Sequence, residues 1–387
     1  MKLGKNVPRS ALPATLSVGQ TQSLDGMASP AEDVRVCLPN GLVLEGLAWG
    51  PVGSKCRVLA LHGWLDNCAT WHLVAPALAA GGARVVALDF AGHGRSAHRS
   101  ADASYLGLSY AEDTAAAIVA LGWGGASFGA GRAGSGEPEQ LAAAEGASSA
   151  TAEQARLVIL GHSMGAGVGA LVAGSVPEGT VAGLVMVESV GFMSEEAAGL
   201  PVRMRRALVD AAARAVASAD ASRAGPRRGG RVYKSLQEAA EARQANARAI
   251  GGQRISAEAA LALATRGVVR ASGRDGDGGA ADAGVTFAHD RRAQLPSPLY
   301  LTESQVQAFF AATRCPVLVL RAKDGLAFPE ERVASRMAAF AGDARQQLVP
   351  GHHHMHADPD TAKAVTDAVL GFLADHAGLS APPAAST

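Results

Sequence analysis

Charge of either sign is scarce in this chain of 387 residues. Asp, Glu, Lys and Arg together make up 18%, below the roughly 25% of an average domain. The signs also cancel, 35 basic against 35 acidic residues, so no basic excess exists to neutralise phosphates and a dedicated nucleic-acid binder is not expected. Cysteine is equally sparse. Cys37, Cys56, Cys68 and Cys315 lack CxxC spacing, which speaks against a zinc ribbon or a disulfide scaffold and fits a reducing compartment. No apolar signal core stands between Met1 and Asp33, so a secretory leader is not expected. That stretch contains Ser, Ala and Pro and has no acid before Asp25. It reads as a disordered tail, with Met27 as an alternative start and organelle import as a second reading; the expected location is cytoplasmic. Leu157 to Pro177 carries no Asp, Glu, Lys or Arg and is long enough to span a bilayer. Its many glycines and Ser163 fit a buried strand, a turn and a small-residue helix instead, so no membrane span is expected.

Apolar residues are plentiful at 48%, enough for a full-sized core. Val34–Leu38 and Leu42–Trp49 flank Pro39-Asn40-Gly41 as a β-hairpin. Arg57–Leu61, Arg84–Phe90, Arg156–Leu160, Ala182–Val187, Pro316–Leu320 and Arg345–Val349 read as strands, the first two as continuous apolar runs of the kind buried on both faces. Helical spacing predicts helices over Thr70–Ala80, Ser109–Leu121, from Met164 onward, and over Asp360–Ala377. The alternation predicts an α/β fold, a mainly parallel sheet flanked by helices with right-handed crossovers.

Two stretches interrupt this rhythm. Gly124–Gln154 is rich in Gly, Ala, Ser and Glu and has too few large apolar residues to offset the entropy of ordering, so a disordered insertion is expected. Residues 195–312 read as a helical cap, with loops over Ala224–Gly230 and Gly273–Gly284. The expected organisation is a tail to residue 33, a core over 34–194 and 313–377 interrupted by the insertion and the cap, and a disordered tail over 378–387.

Gly161-His162-Ser163-Met164-Gly165 fits G-x-S-x-G after an apolar strand and before a small-residue helix. A sharp strand-to-helix turn exposes such a serine at the sheet edge, and the flanking glycines avoid clashes. Ser163 is the candidate nucleophile. An oxyanion hole would use the main-chain N–H of Met164, after the nucleophile, and of Trp64, in the Leu61-His62-Gly63-Trp64 loop. His62 reads as a structural loop histidine and Trp64 as a lining residue as well. Chain order Ser, acid, His places the base in His352-His353-His354-Met355-His356. The four histidines show no partner carboxylate or cysteine at ligand spacing, so no metal and no cofactor is expected. Two carboxylates are candidates for the acid: Asp324, after the strand ending at Leu320, is favoured, and Glu188, ending the strand before the cap, is the alternative. Gly165-Ala-Gly-Val-Gly169 lacks the Lys-Ser/Thr of a phosphate loop and reads as helix–sheet packing.

These residues resemble the α/β-hydrolase superfamily and, within it, the serine hydrolase-like (Kraken-like) group. The resemblance is carried by Leu61-His-Gly-Trp-Leu-Asp-Asn67, Leu88-Asp-Phe-Ala-Gly-His-Gly-Arg-Ser96, Gly161-His-Ser-Met-Gly165 and Val349-Pro-Gly-His-His-His-Met-His356. Arg292–Glu303 is similar to the cap-to-core return of bacterial relatives. The resemblance implies hydrolysis through a Ser-acid-His triad. The group's Pro-Gly-Asn-His-x-Val-His pattern implies His353 as the base, with His352 in the asparagine position and as runner-up. Two departures stand out: the loop is one residue short before Pro359, and Arg321-Ala-Lys-Asp324 replaces the usual Gly-x-x-Asp.

The expected function is hydrolysis of an ester or thioester of a small or medium-sized molecule. A serine at the elbow excludes the haloalkane and epoxide openings that need a carboxylate nucleophile. The rival expectation is a binding or scaffold protein on the same fold. Neither oligomeric state nor acyl length is encoded legibly.

Overall fold

The computed structural model describes residues 31–125, 155–223, 231–249, 251–271 and 284–379. All but the first two residues of the expected disordered insertion and most of both expected tails lie outside these residues, as do the expected loops at 224–230 and 273–283. Strand β1 (Glu32–Cys37) begins inside the expected tail and pairs antiparallel with β2 (Val43–Trp49). Gly41, at φ 84°, lets the intervening turn close through Leu38 N–H donating to Leu42 O at 2.8 Å. Then follow β3 (Cys56–Leu61), α1 (Val74–Ala80), β4 (Arg84–Leu88), α2 (Gly107–Ala120), β5 (Arg156–His162), α3 (Met164–Ala173) and β6 (Gly183–Val187). After the long insertion come α7 (Glu303–Ala312), β9 (Val317–Ala322), α8 (Glu330–Ala339), β10 (Ala344–Val349) and α9 (Pro359–His376). The sheet order is β1-β2-β4-β3-β5-β6-β9-β10, with every pair parallel except β1–β2 and β2–β4.

The apolar strand runs are explained by burial on both faces. In β5, Leu157 and Ile159 join the core on one face, while Val158 and Leu160 join that on the other. β6 splits in the same way, Leu184 and Met186 against Val185 and Val187. The small residues of α3 allow the close approach expected of them: a Cβ on Gly165 would run into Leu61 O, and one on Gly169 would sit 2.9 Å from Ile159.

Three expectations need correction. Thr70–Ala80 is not one helix. A 3₁₀ turn over Cys68–Trp71, capped by the Asn67 side chain, precedes α1; Pro76 lies in the first turn of α1, where its missing N–H costs nothing, and would break a helix begun at Thr70. Helix α8 has no counterpart in the predicted elements, because its apolar face is short and six of its ten residues are charged, polar or alanine at the surface-facing turns. The insertion contributes α4 (Leu200–Arg223), α5 (Leu236–Ala249), α6 (Ala257–Gly267) and a small ribbon of β7 (Val268–Arg270) and β8 (Val285–Phe287). Helix α7, expected as its last part, instead buries Val306 and Phe310 in the sheet-face core.

An ion pair fastens α7 to α8 and to the chain leaving β6. Buried Arg336 donates to both carboxylate oxygens of Glu303, at 2.9 and 2.8 Å, and to Val190 O and Phe192 O at 2.7 and 2.9 Å. Arg336 bonding pushes Glu303 from 4.5 down to about 2. A carboxyl depressed in the folded state contributes stability that is full above its unfolded value and is lost as pH falls through its folded one. Urea midpoints should therefore decline between pH 4.5 and 2 in part through this pair. Arg336→Ala should cost about 3 kcal/mol at neutral pH and flatten that part of the decline; equal midpoints for the two proteins at neutral pH would refute the assignment.

Candidate active site

The strand register brings five loops to one level of the sheet. Leu61 lies opposite Gly161, His162 opposite Val187, Val187 opposite Leu320, and Ala322 opposite Val349. The segments that follow β3, β5, β6, β9 and β10 thus leave together at the carboxyl edge, where ligands of open α/β sheets bind. Trp64, Ser163, Glu188, Asp324 and His352–His354 are all on these segments.

Ser163 joins β5 to α3 at φ 51°, ψ −114°. Its N–H donates to Val187 O at 2.9 Å and its carbonyl starts the helix by accepting from Ala166 and Gly167. No β-carbon fits on either flanking glycine: on Gly161 it would meet Ala166 and Gly165 main chain, and on Gly165 the carbonyls of Leu61 and His62. Among the described residues, the non-glycine positive-φ positions are Leu65, Ser163 and Glu188, so backbone strain concentrates at this edge.

His353 Nδ1 lies 3.1 Å from Glu188 Oε2. A carboxylate only accepts, so Nδ1 carries the proton and Nε2 is left as an acceptor. Glu188 is 1% exposed. It also accepts from Ala322 N–H on Oε1 at 2.7 Å and from Leu326 N–H on Oε2 at 3.1 Å. Burial opposes its ionisation, but the bonds from His353 and the two main-chain groups outweigh it and hold the carboxyl below its ordinary value. Gly325 makes room: a Cβ there would collide with the Glu188 carboxylate. Asp324, favoured on sequence, does not meet the histidine. It is exposed, and its main chain bonds to the histidine loop instead, N–H to Gly351 O at 3.0 Å and C=O to His352 Nδ1 at 3.0 Å. The same bond holds His352 against a carbonyl, and among the described residues no carboxylate bonds to the runner-up base.

The main-chain N–H groups of Trp64 and Met164 have no acceptor among the described residues. Trp64 is 48% exposed, and its ring donates Nε1–H to Ala293 O of the insertion at 2.8 Å. His62 is buried; it donates Nδ1–H to Gly63 O at 2.7 Å and accepts on Nε2 from Phe90 N–H at 2.9 Å, the structural role expected of it. Burial lowers its pKa. Among the described residues Ser163 Oγ and His353 share no hydrogen bond, a separation common before substrate binds.

Sequence reasoning missed three groups. Gln253, from the insertion, accepts His353 N–H on Oε1 at 2.9 Å and donates to Gly325 O at 3.2 Å, clamping both sides of the histidine–glutamate pair. Buried Asp89 organises the Leu88–Ser96 loop, accepting from Cys68 N–H, Arg95 N–H and Arg266 Nε at 2.7, 2.9 and 2.9 Å. Asp66, His162 and His354 come together beside the site, although 288 residues separate Asp66 from His354. No local spacing signals such partners.

Residues 57–360 match the family model described as the alpha/beta hydrolase fold. A serine hydrolase-like protein of Dictyostelium discoideum is 26% identical, with 92% of this chain and 86% of that protein covered. One of Danio rerio is 27% identical, covering 94% of each. Among solved structures, a hypothetical protein from Pseudomonas aeruginosa superposes with a TM-score of 0.66 at 34% identity, over 88% of this chain and 99% of that one.

Proposed function

Because the chain belongs to the family with the α/β-hydrolase fold, we propose that it is a serine hydrolase cleaving a carboxylic ester or thioester of a small or medium-sized molecule through Ser163, His353 and Glu188. The observation that carries this reading is the His353–Glu188 pair, held at 3.1 Å by a carboxylate fixed on two further main-chain donors. Such a carboxylate sets the imidazole tautomer and stabilises the imidazolium that forms.

In the first step His353 Nε2 takes the Ser163 proton as Oγ attacks the carbonyl carbon. The oxyanion is received by the Trp64 and Met164 N–H groups, with the N-terminus of α3 favouring the charge. The imidazolium then protonates the leaving oxygen or sulfur. Water, activated by the same imidazole, attacks the acyl-enzyme and restores Ser163. No metal or cofactor is used in these steps.

A fluorophosphonate probe tests the reading directly. Peptide mapping by mass spectrometry should place the adduct on Ser163 and nowhere else. Well-folded protein left unlabelled by both this probe and a smaller phosphonate would favour a binding protein on the same fold.

A further inference from the structure

Asp66, His162 and His354 take no part in the steps above, yet one donor atom from each lies within 4.8 Å of the others. Asp66 and His162 are buried, and the His354 side chain is 13% exposed. His162 Nδ1 is 3.6 Å from Asp66 Oδ2, and His354 Nε2 is 3.2 Å from the same oxygen. A tetrahedral ion with bonds near 2.05 Å separates its ligand atoms by about 3.3 Å, close to both distances. The remaining separation closes by rotation of the partly exposed His354 ring.

The hydrogen bonding of His162 is what asks for a cation. Its Nε2 lies 2.9 Å from His353 O, and a carbonyl can only accept, so the neutral ring carries its proton there. Nδ1 then presents a lone pair to a carboxylate oxygen, and among the described residues it has no hydrogen-bond partner. Moving the proton to Nδ1 would merely transfer the same conflict to Nε2. A cation placed between Nδ1 and Asp66 Oδ2 satisfies both lone pairs at once. The space between the groups is also kept open: a Cβ on Gly63 would sit 2.9 Å from His162 Nδ1 and 3.0 Å from Asp66 Oδ2. Arg243 occupies the other oxygen of Asp66 and Leu65 O, which orients the carboxylate and leaves Oδ2 facing the histidines.

We propose that Asp66 Oδ2, His162 Nδ1 and His354 Nε2 bind a divalent transition-metal ion of the zinc class. Two imidazoles with one carboxylate suit zinc or its neighbours rather than calcium or magnesium. The fourth position takes water. Binding transfers the His354 Nε2 proton to Nδ1, a buried atom with no partner among the described residues. His162 Nε2–H then donates more strongly to His353 O, as a metal-bound imidazole does to the carbonyl behind it. The Arg243 charge opposes the ion, so this is an exchangeable site. It joins the loop carrying Trp64, the residue before Ser163 and the residue after His353, which makes it a regulatory site. The proposal does not depend on Ser163 being a nucleophile.

The test is a titration of the full chain, stripped with a chelator, with Co²⁺ followed by Zn²⁺. One Co²⁺ per chain should give the visible ligand-field absorption of a four-coordinate ion, Zn²⁺ should displace it, and Zn²⁺ should raise Tm by mass action. Asp66→Asn and His354→Gln should each weaken binding roughly tenfold or more, whereas His352→Ala should not. Circular dichroism of the metal-free variants checks folding, and the more exposed His354→Gln decides the matter if Asp66→Asn unfolds. Absence of binding overturns the proposal. So does wild-type affinity in His354→Gln or in folded Asp66→Asn, or loss on His352→Ala, which would mean that the histidine run chelates as a flexible peptide.

Discussion

Ser163→Ala should reduce hydrolysis of a short-chain p-nitrophenyl ester by about a million-fold in kcat, the scale seen when a serine nucleophile is deleted. What remains should exceed the rate in water alone, because the Trp64 and Met164 N–H groups still favour attack by solvent on a bound carbonyl. The fold should survive. Ala adds nothing larger than serine, and the bonds that hold this turn are main-chain ones, from Ser163 N–H to Val187 O at 2.9 Å and from Ala166 N–H to Ser163 O at 3.1 Å. An unchanged melting temperature with activity within tenfold of wild type would remove Ser163 from the mechanism. Purity matters in this assay, since a trace of host esterase would set the apparent residual rate.

The second large effect separates two carboxylates. Glu188→Gln should lower kcat by about ten-thousand-fold, since an amide at this position no longer enforces the productive imidazole tautomer. Its carboxamide cannot accept from Ala322 N–H, Leu326 N–H and His353 together on the two oxygens present now. Asp324→Asn should leave kcat within about twofold, because that side chain is exposed and only its main chain joins the histidine loop, and surface changes of this kind are usually small. The opposite ordering, with Asp324→Asn the damaging change, would overturn the acid assignment while leaving Ser163 and His353 in place.

The sheet was legible because burial on both faces writes itself as unbroken apolar runs, and the elbow was legible because its glycines, serine and flanking elements are contiguous. Trp64 and Met164 followed from position alone. The acid was not legible in the same way. Glu188 and Asp324 both end or follow a strand, and what distinguishes them is three-dimensional: the φ of 55° at Glu188, the space left by Gly325, and two donors, one from the last residue of β9 and one from the turn after it. The altered Arg321-Ala-Lys-Asp324 approach was the one local hint. His353 was named over His352 by family resemblance. Gln253 and the Asp66–His162–His354 group were out of reach, since their partners lie across 100 and 288 residues of chain. Helix periodicity failed where it ignored Pro76.

Trp64, Leu65 and His353 each lean on the segment between β6 and β9, through Ala293 O, Arg243 and Gln253. That segment is therefore no interchangeable lid in an engineering sense. Grafting another cap onto this core, to change the molecules admitted, would also remove the props beneath the oxyanion loop and the base. Drift toward new substrates is confined to point changes on surfaces that spare these three contacts, and a cap can diverge widely in sequence only where it does not touch them.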